Sequence, residues 1–502
     1  MSGRAEVVLT GAEWREVLGV AALPPGWPKR FSGVTEDSRQ VRPGWIFVAV
    51  SGTQTDGHRF LEDAVRRGAV GLVAGAAAGR GFSCPLVTVE NPRTALAALA
   101  AARFGHPSRE LVVAGVTGTN GKTTVTGYAR QLFEGAGHAC GLVGTVEYAF
   151  GMRRIPARRT TPGPVELQEL LRSMREAACT HCMMEVSSHA LSQQRVDSLQ
   201  FAAAVFTNLS QDHLDYHGTM EAYFQAKAQL FAFPELKVRI VGEDAWSDRL
   251  AAMYPGEVLR CGLGAGMDVR AALLGVDRDG STLGVESPWG RGELRLPAVG
   301  EHNVRNALQA AALAAGLGVS WAQVLDGLQQ VKAAPGRMES IPSAVGRVLV
   351  DYAHTPDALA NVLRTLRPLV KGRLVVVFGC GGDRDRAKRP QMAAEAARYG
   401  DLLLLTQDNP RTEDPNRIFG DMLQGIPDAV SLEVIPDRAA AIHRAVEVMA
   451  EADLVLIAGK GHETMQEFAG CKVPFDDREV AREAIRRRNE RLVQGEGGHD
   501  GI

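Results

Sequence analysis

Lys122, Thr123 and Thr124 close the stretch LVVAGVTGTNGKTTV, Leu111 to Val125, which runs from an apolar strand-like segment through glycines into a helix start. Residues of these types in this order can hold phosphate. Gly118 and Gly121 flank Thr119 and Asn120 in a turn whose backbone N–H groups can point inward at phosphate oxygens. Lys122 adds a positive charge, and Thr123 offers a hydroxyl to Mg²⁺ at a helix N-terminus. The strict phosphate-loop pattern has its first glycine at position 116, which here is Val116, so the loop is a variant. Such a loop says only that a nucleotide is bound, because switches, motors and kinases share it.

Other motifs narrow the choice. A guanine-reading Asn/Thr-Lys-x-Asp is missing, since no lysine of the chain has an aspartate two residues later. The stretch FGCGGDRD resembles a dinucleotide-binding turn, but its third glycine position holds Arg384. Cys179-Thr-His-Cys182 lacks the second pair or clustered histidines that would complete a zinc site.

The elements that position these residues fall into three blocks, expected at 1–107, 108–335 and 336–502. In the first, WIFVAVSG and GLVAGA read as strands between helical runs, and FGHPSRE closes the block. The second alternates strands with helices: LVVAGV, CGLVGTV, CMMEVSS, AAAVFTNLS and VRIVGED, with the helix-like PVELQELLRSMREAA between. That is the rhythm of a parallel, doubly wound sheet. Asp279-Gly280 then suggests an antiparallel hairpin, and Pro335-Gly336 interrupts the helix before it. In the third block RVLVDYA, RLVVVFGCGG, DLLLLTQDNP and ADLVLIAGKGH run as strands into polar, Gly-rich loops, where open α/β sheets collect ligands. The fold class expected is α/β.

With 502 residues, 45% hydrophobic and 23% charged, the chain is ordinary globular material. A net charge of -2 gives no electrostatic reason for a nucleic-acid or anionic-membrane partner. No apolar run reaches the roughly 18 residues of a membrane span, and the N-terminus has no secretory apolar region. Seven scattered cysteines fit a reducing compartment, so a cytoplasmic protein is expected.

GVTGTNGKTT, TTPGP, MMEVSSHAL, TNLSQDHLDYHG, GEHNVRNAL, PGRME, DYAHTPDAL and AGKGHE occur in an order that resembles the Mur ligases over nearly the whole chain. EDSRQVRPGWIFVAVSGTQTDGHRF, CGGDRDRAKRP and DNPR resemble the diaminopimelate-adding type. The resemblance implies a three-domain architecture: a small N-terminal α/β domain, a central phosphate-loop domain and a C-terminal Rossmann-like domain. It also implies a reaction. ATP phosphorylates the D-glutamate side-chain carboxylate of UDP-N-acetylmuramoyl-L-alanyl-D-glutamate, and the amine of meso-diaminopimelate attacks the acyl phosphate. ATP and Mg²⁺ are the implied cofactors, small molecules the implied substrates, and a monomer the expected state. Substrates would bind in the order ATP, UDP-dipeptide, diamino acid, with the third domain closing over them.

Residue by residue, the resemblance makes Gly118 to Thr124 the phosphate cradle and Lys122 its catalytic cation. Glu185 and His213 become magnesium ligands beside Thr123; read alone, each is a hydrogen-bonded loop residue. Lys227, a surface lysine by its helical context, becomes a carbamylated lysine (N6-carboxylysine) that helps hold a second Mg²⁺. Asn303 resembles the base reader and Arg337 a domain-closing contact, while Asp351 and His354 take the ribose and base. His302 stands where this type carries an apolar residue, which bears on base packing. Ser38 and the GTQTDGH loop face the uridine diphosphate; Thr160, Thr161, Ser187, Gln193 and Arg195 grip the muramoyl peptide and its phosphates.

TQDNPRTEDP bears on the incoming amine. An Asn-Pro turn fixes the backbone, and Arg411 projects a planar fork suited to a carboxylate held by two bonds. Meso-diaminopimelate has that distal carboxylate and L-lysine lacks it. Arg384, Asp408, Asn409, Pro410, Gly459 and Glu463 complete this pocket, with Glu463 opposite the distal ammonium. Read alone, Arg411 is also a surface ion pair with Glu413 or Asp414. Three alternatives stand beside this reading: a lysine-adding ligase, a folate polyglutamylating ligase, and a phosphate-loop switch or motor that makes no amide.

Overall fold

The computed structural model describes residues 6–52, 55–77, 79, 81–277 and 279–496. Its backbone clusters into two units, 1–117 with 136–205 and 226–239, and 118–135 with 206–225 and 240–502.

In the first unit a parallel sheet runs in the order Gly33–Thr35, Trp45–Val48, Gly71–Ala74, Leu86–Thr88. The helix Pro92–Phe104 covers it. Asn91 starts that helix by accepting from Arg93 N and Thr94 N, Pro92 occupies the first turn where its missing N–H costs nothing, and Gly105 ends it at φ 73°. Its Leu96 and Leu99 join Trp14, Phe31, Ile46 and Val48 in one core.

A second sheet of this unit sets Cys140–Val143, His181–Glu185 and Val112–Thr117 side by side in parallel. These strands read as unbroken apolar runs because both faces are buried. Glu185 pairs with Val116 in register, so the two strands end together on one edge of the sheet. A hairpin of Glu147–Phe150 and Arg153–Pro156 extends the sheet antiparallel. Its outer strand is wholly exposed and carries Arg153 and Arg154, which hid it from a reading based on apolar periodicity.

Cys179 and Cys182 are buried cysteines outside any disulfide, at the start of this sheet. His181 between them is buried, and burial, with the nearby His138, pushes its imidazole down to about 4. The depressed value means His181 is neutral when folded but takes a proton near 6.5 when unfolded. Its contribution to stability is therefore complete above pH 6.5 and is lost as pH falls through about 4. Melting temperature should fall between pH 6.5 and 4, and His181→Gln should flatten part of that fall.

In the second unit helix Glu301–Gly316 packs on Lys122–Gly135. Val269–Asp277, Gly280–Ser287 and Gly290–Leu296 form an antiparallel meander. Its first turn lies one residue earlier than expected: Asp277 already pairs with Gly280, so Gly280 belongs to the strand. Helix Trp321–Leu328 ends well before Pro335-Gly336, so the proline does not interrupt it; Gly336 at φ 65° instead lets the chain pass against the backbone of His462.

The unit's other sheet runs Glu339–Ile341, Arg347–Asp351, Leu454–Ala458, Leu374–Phe378, Leu402–Leu405, Leu432–Val434, all parallel except the first strand. The fully buried Arg438 and Asp477 meet through two bonds of 2.7 Å, and Arg438 Nη2 donates to Ala458 O. That pair ties down the C-terminal end of a central strand, where the site loops begin. The chain is helical from Asp477 to Glu496, and Arg491 pairs with Glu447 on the preceding helix; residues 497–502 lie outside the described ones. Among the described residues no helix is long and apolar enough to cross a membrane.

Candidate functional site

The phosphate loop is folded against residues 207–210 of its own unit. Gly118 and Gly121 have φ of 142° and 88°, and a side chain on either would strike Thr207 or Asn306. Thr119 N and Asn120 N donate to Asn208 O and Oδ1 at 2.9 and 3.0 Å. These two N–H groups were expected to face phosphate and are instead satisfied internally. The positive end of helix Lys122–Gly135 supplies the attraction for an anion. Lys122 Nζ bridges Gly118 O and Thr119 O, both at 2.8 Å, so its ammonium is held over the loop.

A cavity of about 300 Å³ opens beside the loop, lined among others by Thr124, Asn303, Arg337, Asp351, Asp357 and Asn361. An adjoining cavity of about 270 Å³ shares Thr124, Asn303 and Arg337 and is walled by Tyr128 and Leu349. Arg337 lies over the Tyr352 ring at 4.5 Å and donates to Thr123 Oγ1 at 3.3 Å. Its buried Nε has no hydrogen-bond partner among the described residues, as suits a guanidinium that meets an anion from outside. Burial raises the Asp351 carboxyl, partly offset by Arg337 and by the N–H groups of Met338 and Ala353. His302 also lines the first cavity; burial, then the charge of Arg305, pushes it down to about 4, so it presents a neutral ring.

His354 lies elsewhere. It lines a third cavity of about 220 Å³, together with Asp212, His213, Arg384, Asp408, Asn409, Arg411, Gly459 and Glu463. All the residues expected around the amino acid line it except Pro410. His354 Nδ1 sits 2.8 Å from Tyr352 O, which can only accept, so Nδ1 carries the proton. Lys388, which the sequence did not single out, is buried there and donates to His354 O at 3.0 Å. Burial alone would raise Asp212, but the charges of His213, His354 and Lys388 hold it well below the usual carboxylate range.

Arg411 and Glu463 face this cavity with fixed geometry. Arg411 adopts a left-handed backbone, φ 54°, and its Nη1 donates to Gly382 O at 2.7 Å. Its ion-pair partner is Glu467 at 3.5 Å, not Glu413 or Asp414. Glu463 Oε2 accepts from Lys460 Nζ at 2.8 Å and from Asn409 Nδ2 at 3.0 Å. A cation-binding group and an anion-binding group thus share one small cavity, which suits a ligand carrying both charges.

In the first unit, Thr160, Thr161, Ser187, Gln193 and Arg195 converge. Thr161 Oγ1 donates to Glu185 O at 2.8 Å and accepts from Ser187 N at 3.0 Å; Arg195 reaches Thr161 O at 2.9 Å and Gln193 Oε1 at 2.6 Å. Ser38 is buried at the start of a 3-10 turn, Ser38–Gln40, and bonds to Asp63. Thr53 and Gln54 of the GTQTDGH loop lie outside the described residues.

Among the described residues no three His, Cys, Asp or Glu side chains cluster to hold a metal by themselves. Thr123 and Glu185 each offer the hard oxygen donor that suits Mg²⁺ when phosphate oxygens and water complete its shell, and His213 offers a ring nitrogen. Glu185 is buried, and both its oxygens accept from Thr145, at 2.8 and 2.9 Å, which fixes the orientation of its carboxyl group. Lys227 ends helix Met220–Ala228 and is only 2% exposed, contrary to the surface position its context suggested.

A phosphate loop with a cavity of about 300 Å³ beside it, and a second cavity lined by both an arginine and a glutamate, suit an enzyme that uses a nucleotide and a second, charged small molecule. Family comparisons agree: residues 30–104 match the Mur ligase family catalytic domain, 116–314 the Mur ligase middle domain, and 336–461 the Mur ligase glutamate ligase domain. The chain belongs to the Mur ligase family. It is 46% identical over 466 residues to the UDP-N-acetylmuramoyl-L-alanyl-D-glutamate–2,6-diaminopimelate ligase of Gloeobacter violaceus, covering 92% of this chain and 95% of that one. It is 43% identical over 493 residues to the ligase of the same name from Thermosynechococcus vestitus, covering 96% and 99%. A solved structure of a ligase so named superposes with a TM-score of 0.69 at 35% identity, over 96% of this chain and 99% of that one. MurF from Acinetobacter baumannii, at 20% identity and a TM-score of 0.66, shares the fold, over 95% and 99%.

Proposed function

We propose that this chain is an ATP-dependent ligase joining meso-2,6-diaminopimelate to the D-glutamate side chain of UDP-N-acetylmuramoyl-L-alanyl-D-glutamate, in the cytoplasm and as a monomer, on the route to peptidoglycan. The observation that carries this reading is the identity of 43% or more, over nine-tenths of the chain, to ligases of that name, with Arg384, Arg411 and Glu463 lining one cavity.

Two anions must meet for the reaction to start. Lys122 and the helix dipole behind it lower the repulsion between ATP and the acceptor carboxylate, and Arg337 meets the nucleotide from the other wall. Asn303 and Asp351 hold base and ribose. Thr123, Glu185 and His213 would hold Mg²⁺, whose chemistry is charge neutralisation at the transferring phosphoryl group. The carboxylate oxygen attacks the γ-phosphorus, ADP leaves, and the resulting acyl phosphate makes the carboxyl carbon electrophilic. The free amine of the diamino acid then attacks that carbon, phosphate leaves, and the ammonium proton is lost to solvent or to a neutral base. Thr160, Thr161, Ser187, Gln193 and Arg195 hold the muramoyl peptide, and Ser38 the uridine diphosphate. No protein atom becomes covalently bonded; positioning and charge supply the rate.

Lys227, as a carbamate, would offer a carboxylate-like group toward a second Mg²⁺. Lys227→Ala should lose about 10–100-fold in activity, as supporting groups of a metal site do, and a short-chain carboxylic acid should restore part of it. Unimpaired activity would rule the carbamate role out.

Phosphate release from ATP tests the whole reading. It should require both the UDP-dipeptide and diaminopimelate; release without the dipeptide would leave a switch or motor instead. Replacing diaminopimelate by L-lysine in the same assay should abolish most of the release, and equal release would favour the lysine-adding type.

A further inference from the structure

Arg389 has no exposed side-chain surface, and it lies one layer behind the cavity that holds Arg411. Its Nη1 and Nη2 take both oxygens of Glu413, at 2.8 and 2.6 Å; Nη1 also reaches Asp421 at 2.8 Å and Nη2 reaches Gly381 O at 3.3 Å. Burying a guanidinium so completely costs hydration that only well-placed charged and carbonyl partners can offset. Glu413 and Gly381 belong to two loops that face each other, 409–413 and 381–383, and Asp421 to helix Pro415–Leu423, which follows the second.

Those loops are joined by several bonds. Gly382 N donates to Asn409 O at 2.9 Å, and Arg411 Nη1 returns to Gly382 O at 2.7 Å. Thr412 donates to Asp383 Oδ2 through its N–H and its hydroxyl, at 3.0 and 2.8 Å, and Asp383 N donates to Glu413 Oε2 at 3.1 Å. Two of the residues involved, Asp383 and Arg411, hold left-handed backbones at φ 52° and 54°. Neither is glycine, so each conformation costs free energy and persists only if its surroundings impose it. The Gly381 Cα faces the guanidinium closely: a side chain there would lie 3.1 Å from Arg411 Nη1.

The adjacent carbonyls of Gly381 and Gly382 therefore hold two arginines. One, Arg389, points into the core, and the other, Arg411, points into the cavity. We infer that Arg389 and Glu413 form a clamp that positions Arg411 for the second carboxylate of the diamino acid, so that selectivity depends on an ion pair that never touches substrate. This rests on the function proposed above. It adds two positioning residues to it, one of which, Glu413, had been considered only as a surface partner of Arg411.

Glu413→Gln is the mildest test, because it keeps the size of the side chain and an oxygen acceptor while removing the charge. Arg389→Lys is its companion and keeps the charge while losing the fork. With the full-length enzyme, each should raise KM for diaminopimelate about tenfold, with kcat and the KM values for ATP and UDP-dipeptide within about twofold. The loss should not add to that of Arg411→Ala, because the clamp acts only through Arg411. A lowered melting temperature with an unchanged KM for diaminopimelate would overturn the clamp, as would an equal rise in all three KM values or full additivity with Arg411→Ala. The wild-type enzyme is assayed first, so an inactive wild type counts against the proposed function and a wild-type-like variant counts against the clamp.

Discussion

Lys122→Ala should reduce ligase turnover by at least about 10³-fold while leaving the fold intact. The ammonium contributes little to stability, since its two carbonyl partners, Gly118 O and Thr119 O, lie on a loop that other bonds already hold in place. Its charge acts instead on the reaction. A phosphoryl group moving between an ADP leaving group and a carboxylate oxygen passes through a state with negative charge on every side, and Lys122 is the loop's only fixed cation. Arginine at this position would keep the charge but not the reach, so Lys122→Arg should recover little. Circular dichroism and melting curves near those of wild type, with turnover lost, are the expected pair of results. Turnover within tenfold of wild type would remove Lys122 from the proposed chemistry.

Arg411→Ala should lower kcat/KM for meso-diaminopimelate by about 10²–10³-fold, or roughly 3–4 kcal/mol, the scale of two charge-assisted bonds in a partly buried site. The effect on L-lysine should be small and can be favourable, because lysine offers no distal carboxylate and its ammonium is repelled by a guanidinium. The ratio of the two substrates should collapse toward one. Retained preference for diaminopimelate would shift the second-carboxylate contact to Arg384 or Lys388, the other two cations of the cavity.

The parallel strands of both large sheets were legible because doubly buried strands leave continuous apolar runs, as in Leu402–Leu405 and Leu454–Ala458. The position of Glu185 at the end of such a run was legible for the same reason, whereas its proposed role came only with the resemblance. The exposed hairpin strand Arg153–Pro156 was not, since no core pattern shapes its composition. Burial of single polar residues also escaped. Lys227 sits on a helix whose neighbours look solvated, and nothing in the sequence singled out Lys388 or Arg389 at the start of helix Lys388–Tyr399. What buries them is contact with chain distant in sequence. His354 shows a subtler limit. It follows Asp351 by three residues, and the turn between them sends one side chain to the cavity beside the phosphate loop and the other to the cavity that Arg411 and Glu463 line. Motif order fixes proximity along the chain and leaves direction to the backbone.

The central claim is that the phosphate taken from ATP is carried by the substrate carboxylate before the amide forms. Both oxygens of the D-glutamate side-chain carboxylate can be replaced by ¹⁸O and the released phosphate analysed by mass spectrometry after a single turnover. One ¹⁸O per phosphate, with the other retained in the amide, is the predicted result, because the anhydride oxygen leaves with phosphorus. Phosphate free of label, with its new oxygen drawn from water, would mean that ATP is simply hydrolysed and would contradict the account.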